Sequence, residues 1–132
     1  SAVAETIAAR RLAHPERRIW AIFEPRSASA CLKVFQQDFA DAFEGADEVI
    51  VAPVFRSSLA EDRRLSPSDL VADLIARGRS ARAAASTADI VDQVAREARS
   101  GDLVVVMSNG GFDGIHDKIL DALRSRASSQ VD

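Results

Sequence analysis

The spacing of short, β-rich apolar runs constrains this chain more than any other feature. Residues 18–23 (Arg-Ile-Trp-Ala-Ile-Phe), 48–52 (Glu-Val-Ile-Val-Ala) and 103–107 (Leu-Val-Val-Val-Met) are each too short for a core helix. Each is apolar enough to be a strand buried on both faces. A weaker strand is expected at 81–85, where alanine and arginine are poor strand formers. Helical patterns separate these runs. Strands alternating with helices imply a mostly parallel α/β sheet with helices on both faces, joined by right-handed crossovers. The order of the strands is not legible at this level.

The helices show in their three- and four-residue steps. Residues 2–12 form the first, with Val3, Ile7 and Leu12 expected near one face. Residues 31–43 form the second, carrying Val34, Phe35, Phe39 and Phe43, with Gly45 as its stop. Ser66-Pro67-Ser68-Asp69 reads as a helix start, with Ser66 as N-cap and Pro67 at the first helical position. That helix carries Leu70, Val71, Leu74 and Ile75 and ends at Gly78. Residues 87–99 place Ile90, Val91 and Val94 inward. The last helix, 115–126, places Ile115, Ile119, Leu120 and Leu123 inward. Among the strand residues, Trp20, Ile22, Val49, Val51, Val104 and Val106 are expected to be buried.

A length of 132 residues suits one domain whose core is large enough to fold without disulfides or metals. A formal net charge of -3 disfavours nucleic acid as a partner. The single cysteine, Cys31, has no partner for an internal disulfide and no CxxC spacing for a metal, which fits a reducing compartment. No apolar run is long enough to span a bilayer, so no membrane partner is expected. The N-terminus, Ser1-Ala2-Val3-Ala4-Glu5-Thr6, lacks a basic n-region and apolar h-region, enters directly into a helical pattern and has no initiator Met. It reads as a piece of a longer protein, with residues 1–132 as one domain.

Open parallel sheets bind ligands beyond the carboxyl ends of their strands. Three loops stand there. Glu24-Pro25-Arg26-Ser27-Ala28-Ser29 places a guanidinium and two hydroxyls after a buried strand, a set able to bind carboxylate or phosphate. The plainer alternative is a solvated Arg26 with Ser29 capping the next helix. Ser108-Asn109-Gly110-Gly111-Phe112-Asp113-Gly114 lets backbone approach a ligand closely, ahead of a helix whose free N–H groups face it. It matches neither GxGxxG nor GxxxxGK[ST], and it reads equally as a turn needing positive φ, with Phe112 as a core plug. The third loop, 53–58 with the charge run 61–64, reads as a solvated face. His116, in a first helical turn, suits a neutral hydrogen-bonding role, and His14 is assigned none. The two histidines and the cysteine form no metal-binding spacing. Nothing pairs a base with a particular serine.

Two motifs go further. Phe23-Glu24-Pro25-Arg26-Ser27, and Met107-Ser108-Asn109-Gly110-Gly111-Phe112-Asp113-Gly114-Ile115-His116, together resemble the C-terminal domain of the Mur ligases. Within that family the likeness is to the murein peptide ligase subfamily. The stretch Asp62-Arg63-Arg64-Leu65 ahead of Leu70-Val71-Ala72-Asp73-Leu74 and the opening Ser1-Ala2-Val3 share the resemblance, which spans nearly the whole chain.

The resemblance implies a Rossmann-like domain of a cytoplasmic, ATP- and Mg2+-dependent ligase of peptidoglycan recycling. In that reaction a UDP-N-acetylmuramate carboxylate is phosphorylated and attacked by the amine of L-Ala-γ-D-Glu-meso-diaminopimelate. The N-terminal sugar-nucleotide domain and the central P-loop domain are then missing, so this chain alone is expected to be inactive and to hold no catalytic residue or metal. The resemblance carries substrate binding onto Arg26, Ser27, Ser29, Ser108, Asn109, Gly110, Gly111 and His116. The competing expectation is a stand-alone Rossmann-like module for a nucleotide or metabolite. A phosphorelay receiver fits less well, because residues 18–23 run into Glu24-Pro25 rather than an acidic cluster.

Overall fold

The computed structural model describes residues 2–25, 36–54, 63, 65–108 and 112–129. Its elements run α1 (Ala2–Ala13), β1 (Ile19–Phe23), α2 (Gln36–Ala42) with a 3-10 turn at Phe43–Gly45, β2 (Glu48–Val51), α3 (Pro67–Ala76), β3 (Ser80–Ala83), α4 (Thr87–Glu97), β4 (Leu103–Met107), a 3-10 turn at Phe112–Gly114, and α5 (Ile115–Ser129). The four strands form one parallel sheet in the order β3-β2-β1-β4. This is the expected α/β architecture, with helices on both faces.

The order explains which helix lies where. The path steps from β1 to β2 to β3 in one direction, then returns past β1 to β4. Right-handed crossovers put helices on opposite faces when the direction reverses. Accordingly α1, α2 and α3 pack through Ile7, Ala40, Phe43, Leu70 and Leu74 against Ile19, Ala21, Phe23, Val49 and Val51. On the other face α4 and α5 pack through Ile90, Val94, Ile115 and Ile119 against Trp20, Ile22 and Ile50. All five residues of β1 are buried, as a strand flanked on both sides and covered on both faces must be.

Helix boundaries follow local chemistry. Ser66 Oγ accepts the Asp69 N–H at 3.2 Å, and Ser86 Oγ accepts the Asp89 N–H at 3.1 Å. Both satisfy a donor that the first helical turn leaves open. At the far end of α3, Gly78 adopts φ 81°, its N–H donates to Ile75 O, and the Arg79 N–H donates to Leu74 O. That pair of bonds is a Schellman stop, which favours glycine.

Several expectations need correction. Val104 and Val106 are only partly buried, because β4 is an edge strand and no further strand among the described residues shields them. Leu12 is 85% exposed. It lies five residues beyond Ile7, about 140° around the helix. Arg11, one full turn beyond Ile7, faces inward instead and donates to Gly45 O and Asp47. Ile75 and Leu120 are also exposed, at 55% and 38%. Each follows the second residue of a buried i, i+4 pair by one step, and that step turns the side chain about 100° outward. Val71, Val91 and Leu123 are partly buried at the margins of the core. The weak strand begins at Ser80 and ends at Ala83, on the opposite edge. The second helix is described from Gln36, and Cys31, Val34 and Phe35 lie outside the described residues.

Candidate functional site

The reversal of strand order falls between β1 and β4, and the helices that follow them in the chain, α2 and α5, pack on opposite faces of the sheet. A crevice at such a switch point, beyond the carboxyl ends, is where parallel sheets take ligands. The β1–β4 register ends at Phe23 opposite Met107, so Glu24 and Ser108 are the next residues on each side. The Glu24 N–H donates to Met107 O at 3.1 Å, extending the ladder by one bond. The Ser108 hydroxyl donates to Glu24 Oε1 at 2.8 Å. Glu24 is 9% exposed, the buried charged residue among the described ones.

On the second loop, Phe112 is buried among Ile90, Ile115 and Ile119 and holds φ 48°, an uncommon value for a bulky residue. Its ring therefore anchors the turn to the core, as the plug alternative expected. Gly114 follows with φ 65° and leads into α5. Because α5 begins just after the carboxyl end of β4, its N-terminal N–H groups belong to the same end of the sheet as Glu24 and Ser108.

Of the residues singled out in the sequence, Ser108 thus stands at the carboxyl end of β4, joined to Glu24. His116 is exposed in the first turn of α5. Arg26, Ser27, Ser29, Asn109, Gly110 and Gly111 lie outside the described residues, although Pro25 and Ser108, from which their loops depart, are described. Glu24 belongs to the first motif, and the sequence assigns it no role. The available signal was an acid placed directly after a wholly apolar strand. Most of the charge run at 61–64 also lies outside the described residues, while neighbouring Val54 packs against the core. A shallow groove between α4 and α5, lined by Ala88, Val91, Asp92, Ala95, Lys118 and Ala122, includes neither Glu24 nor Ser108.

The strongest electrostatics lie at the opposite, amino end of the sheet. Asp102 Oδ2 accepts from Arg18 Nε and Nη2 at 3.0 and 2.8 Å, from Trp20 Nε1 at 2.9 Å and from the Arg99 N–H at 2.9 Å. Burial alone pushes the Asp102 carboxyl up. The Arg18, Arg99 and Trp20 donors more than offset it, and the group sits below its ordinary value. The guanidinium groups of Arg18 and Arg82 lie 5.1 and 5.8 Å from the Trp20 ring, close enough for cation–π attraction. Arg82 also pairs with Glu97, whose carboxyl its hydrogen bond lowers. This cluster locks strand starts together, at the opposite end of the sheet from Glu24 and Ser108.

Comparison with known proteins gives one consistent set of likenesses. The family model described as Mur ligase, glutamate ligase domain, matches residues 1–110. The chain is 34% identical over 109 residues to a UDP-N-acetylmuramate–L-alanine ligase of Desulfitobacterium hafniense (strain Y51), covering 82% of this chain and 24% of that protein. It is 34% identical over 116 residues to the UDP-N-acetylmuramate–L-alanyl-γ-D-glutamyl-meso-2,6-diaminoheptandioate ligase of Escherichia coli (strain K12), covering 85% and 22%. A crystal structure of a murein peptide ligase from Psychrobacter arcticus 273-4 superposes with a TM-score of 0.75 at 30% identity, over 92% of this chain and 25% of that one. A domain ascribed to the same kind of ligase in Haemophilus ducreyi 35000HP gives 0.67 at 28%, over 92% and 81%. The chain spans about a quarter of the length of the curated relatives it matches.

Proposed function

The chain belongs to the Mur ligase family through its glutamate ligase domain, and from that premise we propose that it is the substrate-side, C-terminal domain of a cytoplasmic ligase. In the whole protein it joins L-Ala-γ-D-Glu-meso-diaminopimelate to UDP-N-acetylmuramate at the expense of ATP. The observation that carries this reading is the Glu24–Ser108 hydrogen bond at the reversal of strand order, which joins the ends of the two strands whose following motifs resemble the tripeptide ligases. A tripeptide with several carboxylates calls for guanidinium and N–H donors, and Arg26, Ser27, Ser29, Ser108, Asn109, Gly110, Gly111 and His116 are the residues proposed to meet it.

The nucleotide and Mg2+ belong, in this reading, to a central domain. None of the six glycines is followed by lysine, so the chain has no P-loop to cradle phosphates. Among the described residues no group of three or more His, Cys, Asp or Glu could hold a metal ion. They do not fit a Mg2+ site of their own. No helix among the described residues is long and apolar enough to cross a membrane.

L-alanine is the competing amine, because a relative of equal identity is an L-alanine ligase. The full-length protein supplied with ATP, Mg2+ and UDP-N-acetylmuramate should release ADP and form the UDP-linked tripeptide product with kcat/KM at least tenfold above that for L-alanine. A preference for L-alanine would reassign the substrate. Ligation by the 132-residue chain alone would overturn its assignment as a dependent domain.

A further inference from the structure

The two edges of the sheet are unlike. On one side it ends in β3, Ser80-Ala81-Arg82-Ala83, whose Arg82 forms ion pairs with Glu97 and Glu48. Short edge strands carrying charge resist pairing with other strands. On the other side it ends in β4, Leu103-Val104-Val105-Val106-Met107, which has no charge, no proline and no glycine. Its three central valines favour a strand strongly, at the place where a sheet is most open to further pairing. In a parallel ladder one residue turns both its N–H and its C=O toward a given neighbour, and the next turns both away. The Leu103 N–H donates to Arg18 O, and Met107 O accepts the Glu24 N–H. Leu103, Val105 and Met107 therefore face β1. Val104 and Val106 direct their N–H and C=O groups outward, where no strand among the described residues meets them. The side chains of the same two valines pack against the cluster that holds Trp20 and Ile22, yet stay only partly buried.

Resting on the ligase reading above, we propose that the outer edge of β4 is an interaction surface for one further strand, supplied by the remainder of the same ligase polypeptide. The chain spans 24% and 22% of two relatives and 81% of a relative's domain solved by itself, so these relatives carry sequence that the 132 residues lack. A strand in the same polypeptide stays near the edge at high effective concentration, which favours it over a second molecule. The edge sets the chemistry of that strand. Its main chain bonds to Val104 and Val106, and its side chains on the α5 face are apolar and complete the cover of those two valines.

The test is amide hydrogen exchange in the full-length protein, resolved to single residues, at two protein concentrations about a hundredfold apart. Val105 is the internal reference, because its N–H faces β1. Val104 and Val106 should exchange on the order of 100-fold or more slower than an unstructured chain, as Val105 does, and equally at both concentrations. Fast exchange at Val104 and Val106 beside a protected Val105 would show an open edge and overturn the proposal. Protection that fades on dilution would give the edge to a second copy and overturn it equally. The readout does not depend on turnover. An open edge in a protein that ligates the tripeptide sinks this inference alone, and a protected edge in a protein that prefers L-alanine sinks only the substrate reading.

Discussion

Trp20 donates its indole N–H to Asp102 at 2.9 Å, and the same carboxylate oxygen also takes the Arg18 guanidinium and the Arg99 N–H. One atom thus ties the start of β1 to the residue preceding β4, 82 positions away. Asp102→Ala leaves the indole N–H without its acceptor. It should lower unfolding free energy by about 1–3 kcal/mol, read by urea denaturation. Asp102→Asn, which keeps one acceptor oxygen, should cost less. Equal midpoints for Asp102→Ala and wild type would show that the cluster contributes nothing net.

Acid should weaken the same cluster. The folded Asp102 and Glu97 carboxyls lie below their ordinary values, so the unfolded chain binds protons first as pH falls. Their contribution is complete above the unfolded values, roughly 4 for both groups. It is lost as pH drops below that through the depressed folded values. Denaturant midpoints measured from pH 7 to pH 3 should fall most steeply below about pH 4, and Asp102→Asn should flatten that decline. An identical slope in the variant would remove Asp102 from the acid response.

Gly45 has no room for a side chain. A Cβ there would stand 2.9 Å from Ile7 Cγ2, and Ile7 is buried in the core between α1 and the sheet. Gly45→Ala should therefore destabilise by about 1–3 kcal/mol, the usual range for overpacking. The alanine would otherwise stiffen the unfolded chain and stabilise. In a double-mutant cycle with Ile7→Ala, the Gly45→Ala penalty should shrink. Additive losses would place its cause elsewhere.

Arg26 is the residue on which the substrate reading leans most. In the full-length protein, Arg26→Ala should lower kcat/KM for the tripeptide ten- to a hundred-fold, from about 1.5–3 kcal/mol for one charge-assisted hydrogen bond. It should affect UDP-N-acetylmuramate less. Arg26→Lys should recover part of the loss, because an ammonium lacks the planar fork. Unchanged tripeptide kinetics in Arg26→Ala would remove the residue from the site.

The sequence by itself determined the elements. Runs such as Ile19–Phe23 and Leu103–Met107 are strands because β-branched and aromatic residues fit a pleated surface, and Ser66 and Gly78 bound α3 by chemistry local to one turn. The pairs Leu70–Leu74 and Ile115–Ile119 announced their buried faces through helical period alone. Local pattern does not carry strand order, and that order decided the rest. Placing β4 at an edge left Val104 and Val106 partly exposed despite the purest strand pattern in the chain. The same order set Glu24 beside Ser108, and Trp20 and Arg18 around Asp102, across more than eighty residues. A buried charge is tolerable only where tertiary packing supplies its partners, so the burial of Glu24 could not be read until the two strands lay side by side.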